Sequence, residues 1–244
     1  MVFKYYNILL NDGTFTVSPN LPLLTQLGFT KISRDIIEGV FPDNGYIGKT
    51  LIDVGCLEGG YTLEFAKMGI ISVGLEVRES NFEKCCFLAD SFKTLPLKFI
   101  KDDCWNIEKY GKYDIVFVNG LLYHLDNPNK FIGILANVCK DLLILDTNVS
   151  NEDKKIRLDN QLSDIFEHEG MLGRWYKEFE DKDIKNDKAH LSSWENKQSF
   201  WPTIPSLLKS LKDAGFTDLV DIPSKRNDLG RVTIQGRRTQ PDKK

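Results

Sequence analysis

A short strand-like segment that runs directly into a glycine-bearing turn constrains the fold of this chain more than any other feature. The segment is LIDVGCLEGG, residues 51–60, and a helix-like segment, YTLEFAKMG, follows it. Only a residue without a Cβ lets the backbone pass close to a bound ligand, so the glycines predict a ligand at this turn. The spacing is D-x-G-x-x-x-G, with Asp53, Gly55 and Gly59, and it differs from the G-x-G-x-x-G that brings a pyrophosphate onto a helix N-terminus. The segment therefore favours a cofactor that carries a nucleoside but no phosphate.

The order of strand-like and helix-like segments predicts the fold class. Apolar strand-like runs alternate with helix-like segments from about residue 35 onward, which is typical of a parallel sheet with helices on both faces. The strand-like runs are TLIDVG (50–55), ISVGLEV (71–77), LKFIKDD (97–103), YDIVFVNG (113–120), DLLILDTNV (141–149), FTDLVDI (216–222) and RVTIQGR (231–237). The chain is therefore predicted to adopt an α/β fold.

A charged stretch interrupts this alternation after the fifth strand-like run. We interpret residues 150–198 as a cap inserted between strand five and the following helix, IPSLLKSLKDAG. The 244 residues are enough for one large α/β domain with an elaboration. We therefore expect an N-terminal extension over residues 1–34 and one domain over residues 35–240 that contains the cap.

Charge and hydropathy disfavour several functional classes. The formal net charge of −3 provides no electrostatic footprint for a long nucleic acid, so nucleic acid is disfavoured as a partner. No apolar stretch approaches the ~20 residues that span a bilayer, and the first residues lack a secretory signal pattern. We therefore expect no membrane partner and a cytoplasmic location. The basic residues near the C-terminus are interpreted as part of a solvated final strand and tail; they are Arg226, Arg231, Arg237 and Arg238.

Cysteines and acidic residues do not predict a metal site. The five cysteines form neither a disulfide framework nor a C-x-x-C zinc pattern. Asp146 and Asn148 are residue types that bind Mg²⁺, but the sequence offers no clear third ligand. No metal is therefore predicted.

The acid, the glycines and the order of strands resemble those of class I S-adenosylmethionine-dependent methyltransferases. The resemblance covers roughly residues 35–240 and implies a Rossmann-like methyltransferase sheet of seven strands in which the last strand is antiparallel. It also implies S-adenosylmethionine as the cofactor, with Asp53, Gly55 and Gly59 around its methionine part. Tyr61, at the start of the following helix, is expected beside them.

Further cofactor-binding residues are expected at the carboxyl ends of the strands, where open parallel sheets bind ligands. Glu76 lies about 20 residues past the glycine turn, a position from which a carboxylate accepts hydrogen bonds from both ribose hydroxyls; a solvated strand-end acid is the alternative. The resemblance implies that Asp103 binds the adenine amino group, with Trp105 either against the base or in the core. Arg78 is expected to contact the cofactor or to pair with Glu79 or Asp103 on the surface. The complete predicted cofactor set is Asp53, Gly55, Cys56, Leu57, Gly59, Tyr61, Glu76, Val77, Arg78, Asp103, Cys104, Trp105, Asn119, Gly120 and Leu121.

A nicotinamide dinucleotide is the competing cofactor, because Glu76 would also serve its ribose. The third glycine of the dinucleotide spacing is missing, which argues against this alternative. A nicotinamide oxidoreductase is therefore the weaker interpretation.

The segment after the fourth strand-like run indicates where the acceptor binds. It reads GLLYHLDNP, residues 120–128. It resembles a methyltransferase subgroup that includes enzymes of the tRNA wobble uridine and relatives in sugar and polysaccharide biosynthesis. Methyl transfer from a sulfonium is an in-line displacement, so the protein aligns the acceptor and removes its proton if the nucleophile is a hydroxyl. His124 is the candidate base and Tyr123 the candidate orienting residue; structural roles in the turn are the alternatives.

The predicted cap is rich in aromatic and polar residues and is expected to overhang the acceptor pocket. Aromatic faces with interleaved polar groups bind sugars and bases. The candidate substrate-binding residues are Arg174, Trp175, Tyr176 and Trp201. A small hydrophobic core of the cap itself is the alternative for each of the aromatic residues.

Three functional hypotheses follow. The first is an S-adenosylmethionine-dependent O-methyltransferase acting on a small polar acceptor such as a sugar or glycan precursor. The second is a tRNA wobble-uridine modifying enzyme that uses the same pocket. The third is a non-catalytic relative that binds the cofactor or a partner protein.

Overall fold

The computed structural model describes residues 1–150, 162–179, 192–223 and 230–238. In chain order the helices and strands are α1 (Gly28–Val40), β1 (Thr50–Val54), α2 (Gly60–Lys67), β2 (Ile71–Glu76), α3 (Glu79–Ser91), β3 (Leu97–Lys101), β4 (Tyr113–Asn119), α4 (Pro128–Val138), β5 (Cys139–Asn148), β6 (Leu162–His168), β7 (Met171–Lys177), β8 (Gln198–Pro202), α5 (Ile204–Asp213), β9 (Phe216–Asp221) and β10 (Arg231–Arg238). Short 3-10 helices occupy Leu24–Gln26, Cys104–Tyr110 and Leu122–His124. None of the helices in the described ranges combines the length and the apolar character needed to cross a membrane.

Seven of the strands form one sheet in the order β3-β2-β1-β4-β5-β10-β9. β2 is parallel to β1 and to β3, whereas β10 is antiparallel to both β5 and β9. Each of these strands falls on one of the strand-like runs of the sequence. The expected Rossmann-like methyltransferase sheet, with its antiparallel last strand and flanking helices, is confirmed.

The strand before the glycine turn, β1, is a buried central strand because of its apolar sequence. Parallel strands are covered on both faces and therefore read as nearly continuous apolar runs. The fully buried side chains of β1 are Leu51, Ile52 and Val54. Val54 pairs with Leu75 of β2, so the carboxyl ends of the two strands meet at the same edge. Gly55 and Glu76 therefore lie at that edge.

The chain forms two compact units. The first comprises Met1–Asn106 with Tyr113–Ile115, and the second comprises Ile107–Lys112 with Val116–Lys244. In the first unit, the N-terminal Phe3 and Ile8 belong to a buried cluster whose other buried members are Leu63, Leu88 and Phe92. α1 extends across the predicted boundary at residue 34. The predicted boundaries of the extension, the domain and the cap stay predictions.

In the second unit, the predicted cap and the residues directly after it contain strands that the sequence did not predict. β6, β7 and β8 form a three-stranded antiparallel sheet. Gly173 of β7 lies against β8, and a Cβ there would collide with the Trp201 carbonyl and come within 2.7 Å of the Phe200 ring. Glycine therefore allows the close approach of β7 and β8. Residues 151–161 and 180–191 of the predicted cap lie outside the described residues.

Candidate active site

The turn after β1 is shaped by glycines in a left-handed backbone conformation. Gly55 has a φ of 74° and Gly59 a φ of 78°, values that most other residues adopt only with strain. At Gly59 a Cβ would also lie 2.7 Å from the Phe99 ring and 3.2 Å from Cys85 Sγ. The packing of the protein itself therefore requires glycine at position 59, in addition to any ligand that approaches the turn.

Glu76 closes β2, and its carboxylate braces the glycine turn. Oε2 accepts a hydrogen bond from the Leu57 N–H at 3.0 Å, and Oε1 accepts one from the Arg78 N–H at 2.8 Å. Burial raises the pKa of Glu76 above its usual value, and the two backbone hydrogen bonds oppose that increase. The side chain is 6% exposed, so the alternative of a solvated strand-end acid is wrong. The positive charge of the nearby Arg78 also opposes the increase in the pKa of Glu76.

Asp53 of β1 is a buried carboxyl group next to the same turn. Its Oδ2 accepts a hydrogen bond of 2.7 Å from Thr62 Oγ1 in α2. Burial raises the pKa of Asp53 to about 7 against the opposing hydrogen bond from Thr62, and the charge of Glu76 adds to the increase. Without a bound cation, Asp53 is therefore partly protonated near neutral pH.

Three other residues of the predicted cofactor set are buried in the first unit. Tyr61 packs edge-on against Tyr6, with ring centroids 5.5 Å apart. Cys56 lies with its Sγ 3.8 Å from Cys85 Sγ. Arg78 is 4% exposed, so the alternative of a surface ion pair is wrong for it.

The predicted adenine-binding residues follow β3 in the first unit. Asp103 accepts a hydrogen bond of 3.0 Å from the Trp105 N–H and so begins the 3-10 helix that contains Cys104. All three residues are half-buried. The Trp105 ring is therefore not a fully buried core side chain, and its contact with a base stays a prediction.

Glu58, inside the glycine turn, is a residue that sequence reasoning missed. Its carboxylate is fully buried and accepts hydrogen bonds from the backbone N–H groups of Lys4, Tyr5 and Tyr6 at 2.8, 2.9 and 3.2 Å. Lys84 Nζ of α3 lies 2.8 Å from the same carboxylate. Glu58 therefore ties the N-terminal segment to the predicted cofactor turn.

In the second unit, the carboxyl end of β4 is held by an arginine from β10. Arg231 forms a buried ion pair with Asp146 and donates hydrogen bonds to Asn119 Oδ1 at 3.2 Å and to the Tyr123 hydroxyl at 3.3 Å. Burial lowers the pKa of Arg231, but Tyr123 and Asp146 raise it above its usual value. Its side chain is 16% exposed, so the interpretation of Arg231 as part of a solvated strand is wrong.

This arrangement bears on two interpretations of the sequence, namely Asp146 as a possible Mg²⁺ ligand and the basic residues near the C-terminus. Asp146 also accepts a hydrogen bond of 2.8 Å from Thr233 Oγ1, so its carboxylate is held by protein groups. Within the described ranges, no cluster of three or more histidine, cysteine or acidic residues is arranged to hold a metal ion. Arg226 lies outside the described residues.

His124 lies in the 3-10 helix after β4 and contacts the cap sheet of the second unit. Its Nδ1 is 2.8 Å from Glu178 Oε1, at the end of β7. The His124 carbonyl accepts a hydrogen bond of 2.9 Å from the Asn196 side chain. The His124 side chain is 15% exposed, and that of Glu178 is 2% exposed. Sequence reasoning proposed His124 but missed Glu178.

Two of the four predicted substrate-binding residues lie together with the predicted catalytic pair. Tyr176 stacks on Trp201 with centroids 4.7 Å apart, and Trp201 packs edge-on against Tyr123 at 5.9 Å. Trp201 Nε1 also donates a hydrogen bond of 2.8 Å to the Tyr123 carbonyl. Tyr123, His124, Tyr176 and Trp201 therefore form one aromatic cluster of the second unit.

Trp175 and Arg174 have other neighbours. Trp175 packs against His168 and Phe200, with centroid distances of 4.6 and 5.2 Å, as expected for a small core of the cap. It also lines a cavity of about 480 Å³ whose other lining residues are Asp126, Lys177, Phe179, Asn196, Lys197 and Gln198. Arg174 donates a hydrogen bond of 2.8 Å to the Ser163 carbonyl of β6.

Comparison with known proteins assigns the chain to a family. A family model described as "Methyltransferase domain" matches residues 47–199, more than half of the chain. The chain therefore belongs to this family. The enzyme class and the cofactor expected from the sequence, a methyltransferase that uses S-adenosylmethionine, are confirmed for this domain.

Individual relatives are more distant. A ubiquinone biosynthesis O-methyltransferase from Glaesserella parasuis is 28% identical over 117 residues, which cover 43% of this chain and 47% of the relative. The chain thus spans about half the length of this curated relative. The N-terminal domain of EvdMO1, crystallised in the presence of SAH and D-fucose, has a TM-score of 0.69 at 19% identity, covering 93% of this chain and 88% of that chain. Magnesium protoporphyrin IX methyltransferase from Synechocystis, with bound SAM, has a TM-score of 0.57 at 15% identity, covering 87% and 80%. These two structures support the fold.

The affinity for S-adenosylhomocysteine (SAH) is expected to rise with pH between about 5.5 and about 8. The family resemblance predicts that Asp53 lies at the methionine part of the cofactor, whose ammonium group would favour the ionised carboxylate. Because burial raises the pKa of Asp53 to about 7, binding below that pH must release a proton. Each pH unit below it is expected to lower the affinity by up to about tenfold. Calorimetry in buffers with different ionisation enthalpies measures both the affinity and the released proton.

The Asp53→Asn variant is the control for this linkage. Glu76 remains in that variant, so a loss of the pH dependence isolates the contribution of Asp53. A wild-type affinity that stays constant over the same pH range, without proton release, would show that SAH does not require ionised Asp53.

Proposed function

We propose that this protein is an O-methyltransferase that transfers the methyl group of S-adenosylmethionine to a hydroxyl group of a small polar acceptor, such as a sugar or glycan precursor. His124 carries the proposal. Its ring lies beside that of Tyr123, with centroids 4.3 Å apart, and its Nδ1 is hydrogen-bonded to a buried carboxylate. A hydroxyl nucleophile must lose its proton, and histidine is the side chain most often used to accept it.

The aromatic cluster supports a sugar-like acceptor. Tyr123 and Tyr176 are half-buried, so each offers part of its ring to a ligand. Trp201, which is 3% exposed, packs against both and holds their positions. Aromatic faces next to polar groups are suited to bind the apolar faces and hydroxyl groups of sugars.

The residues of the chain have separate roles in the proposed reaction. Bound S-adenosylmethionine supplies an electrophilic methyl group on a sulfonium. Glu76 accepts hydrogen bonds from the ribose hydroxyls, and ionised Asp53 balances the ammonium group of the methionine part. Tyr123 orients the acceptor, and His124 accepts the proton of its hydroxyl group as the oxygen attacks the methyl carbon. The protein contributes alignment and proton removal.

Some of the relatives bear on the class of the acceptor. The EvdMO1 domain was crystallised in the presence of D-fucose, a sugar. The curated relatives are ubiquinone biosynthesis O-methyltransferases, which favours an O-methylated acceptor other than a sugar as a second candidate. A histidine base serves either kind of acceptor.

The run GLLYHLDNP is the remaining argument for a tRNA acceptor. It is similar to a subgroup that includes both tRNA wobble-uridine enzymes and sugar-associated methyltransferases. The net charge of −3 favours the sugar-associated methyltransferases, because nucleic-acid binding depends on a positively charged surface. A cytoplasmic location stays a prediction from the sequence.

The test is a methyl-transfer assay with methyl-labelled S-adenosylmethionine and the full chain. The acceptor arms are D-fucose with other free deoxy sugars, nucleotide-linked sugars, a catechol and bulk tRNA. We expect label in the sugar arms, in a product that contains a methyl ether.

The other arms separate the alternatives. Label only in the catechol would show that the acceptor is a phenol and not a sugar. Label only in tRNA would overturn the proposal in favour of the tRNA hypothesis. No label in any arm from a protein that still binds SAH would favour the non-catalytic relative.

A further inference from the structure

We propose that Glu178 is a positioning residue that fixes the tautomer and the orientation of the His124 ring. The inference rests on the proposed function, because it assigns to Glu178 the support of the base named there. It gives part of the cap sheet a role in the chemistry, beyond contact with the acceptor.

The distance and the burial carry the first step. Glu178 Oε1 lies 2.8 Å from His124 Nδ1, a normal length for a charge-assisted hydrogen bond. The Glu178 side chain is 2% exposed, so bulk water competes little for this contact. A buried carboxylate next to a ring nitrogen is costly unless it is hydrogen-bonded, and this contact contributes to its stabilisation.

The other partners of Glu178 hold the carboxylate in place. Ser199 Oγ of β8 donates to Oε1 at 2.7 Å, and the Ser193 N–H donates to Oε2 at 3.0 Å. The Glu178 backbone N–H donates to the Lys197 carbonyl at 2.8 Å. Both carboxylate oxygens therefore have donors, and the carboxylate faces His124 as a fixed acceptor.

The backbone of His124 is anchored from the same side. Asn196 Nδ2 donates to the His124 carbonyl at 2.9 Å and to the Gln198 carbonyl at 2.7 Å. Glu178 thus binds the ring of His124, and Asn196 binds its backbone. A ring that is hydrogen-bonded at Nδ1 and carried on an anchored backbone loses the rotational freedom that would misalign a proton acceptor.

The hydrogen bond also determines which ring nitrogen acts. A carboxylate only accepts, so Nδ1 must carry the hydrogen, and Nε2 of the neutral ring carries the lone pair. In the proposed reaction the acceptor O–H bond breaks and the proton binds to Nε2. The oxygen keeps the electron pair and forms the bond to the methyl carbon, while the C–S bond breaks and leaves its pair on sulfur. The Glu178 carboxylate accepts the Nδ1–H hydrogen bond and stabilises the imidazolium that forms.

The pairing exists only after folding. Glu178 lies 54 residues from His124 along the chain, and the two side chains meet because β7 ends beside the 3-10 helix Leu122–His124. Glu178 directly follows β7, two positions after Tyr176. Tyr176 pairs with Ser199 of β8, and the Ser199 hydroxyl donates to Glu178, so the Tyr176 ring and the Glu178 carboxylate lie on the same face. One face of the cap sheet thus presents a ring of the aromatic cluster together with the carboxylate that supports the base.

The experiment combines nitrogen NMR with kinetics on the full chain. The chain has three histidines, so the ¹⁵N ring signals are few, and the His124→Ala variant identifies those of His124. In the wild-type protein we expect the tautomer with hydrogen on Nδ1. In Glu178→Ala we expect a shift towards the tautomer with hydrogen on Nε2.

The kinetic arm uses Glu178→Gln, which keeps the shape of the side chain and removes its charge. We expect kcat to fall about 10- to 100-fold, with the acceptor KM and the SAH affinity within about twofold of wild type. Glu167→Gln is the matched control, because Glu167 is an exposed carboxylate of β6 in the same sheet. This control is expected to keep both the wild-type kcat and the wild-type ring signals.

The two readouts separate a failure of this inference from a failure of the proposed function. An unchanged His124 tautomer in Glu178→Ala together with an unchanged kcat in Glu178→Gln would remove the role of Glu178, whatever the acceptor. If His124→Ala kept full activity while the tautomer shifted as expected in Glu178→Ala, the proposed base would be wrong and the contact would be purely structural. The NMR readout needs no acceptor, so the contact between Glu178 and His124 is tested even if no acceptor is methylated.

Discussion

Replacement of His124 by alanine is expected to lower kcat for methyl transfer by about 10²- to 10⁴-fold, the usual contribution of a general base. The affinity for SAH should stay within about twofold of wild type, because His124 is assigned to the acceptor and not to the cofactor. The physical reason is that a neutral hydroxyl is a weak nucleophile, and without Nε2 its proton must pass to water. Initial rates at saturating S-adenosylmethionine, together with calorimetric titration by SAH, measure the two effects separately.

His168→Ala is the matched control for this prediction. His168 also belongs to the second unit, but its Nε2 is hydrogen-bonded to the Asp126 carbonyl at 3.0 Å and its ring packs against Trp175 and Phe200. Its removal is expected to affect stability and to leave kcat near the wild-type value. Equal losses of kcat in both variants would indicate a general disturbance of the cap, and the assignment of His124 as the base would be withdrawn.

Replacement of Glu76 by alanine is expected to weaken SAH binding by about 100-fold or more, equivalent to about 3 kcal/mol. Two losses combine in this variant. By the proposed role of Glu76, the ribose hydroxyls lose their charged acceptor. The buried N–H groups of Leu57 and Arg78 also lose the carboxylate that braces the glycine turn. Calorimetry with SAH measures the affinity, and circular dichroism confirms that the variant is folded.

Glu79→Ala is the appropriate comparison for Glu76→Ala. Glu79 begins α3, three residues further on, and forms an exposed ion pair with Lys101. Exposed ion pairs contribute little, so this variant should bind SAH as the wild-type protein does. A folded Glu76→Ala variant with wild-type SAH affinity would refute the ribose role of Glu76.

The sheet and the position of the glycine turn were predictable because their signals are local. β1 carries a continuous apolar run and ends at glycines that adopt positive φ. Glu76 follows the glycine turn by about 20 residues, the separation along the sequence that is expected between the ends of neighbouring parallel strands in this kind of fold. Each of these features depends on residues close together in the chain, so periodicity and spacing are sufficient to find them.

The residues that sequence reasoning missed depend on distant partners. Glu58 and Glu178 each contact groups 54 residues away, Lys4 and His124, and Arg231 meets Asp146 across 85 residues. In the sequence each of them is one more charged residue, and charged residues are usually solvated. Only the folded chain shows that these charges are buried and paired.

The cap strands were missed for a related reason. β6 and β7 carry few consecutive buried residues, and several of their apolar side chains are exposed, including Ile165, Phe166 and Leu172. Their pairing depends on contacts such as that of Gly173 with β8, which periodicity within one segment does not reveal. Local patterns therefore identified an insertion but not its strands.

The position of β10 has a consequence for the synthesis of the protein. β10 lies between β5 and β9, although both of these strands precede it in the chain. While the nascent chain leaves the ribosome, β5 therefore lacks one of its two neighbours, and this open edge borders a run of buried leucines and isoleucine, 142–145. Open apolar edges pair readily with other chains, so the translated protein passes through an interval in which it is prone to aggregate. The interval ends when β10 has left the ribosome and paired with β5. We expect chaperones to be needed most before that point.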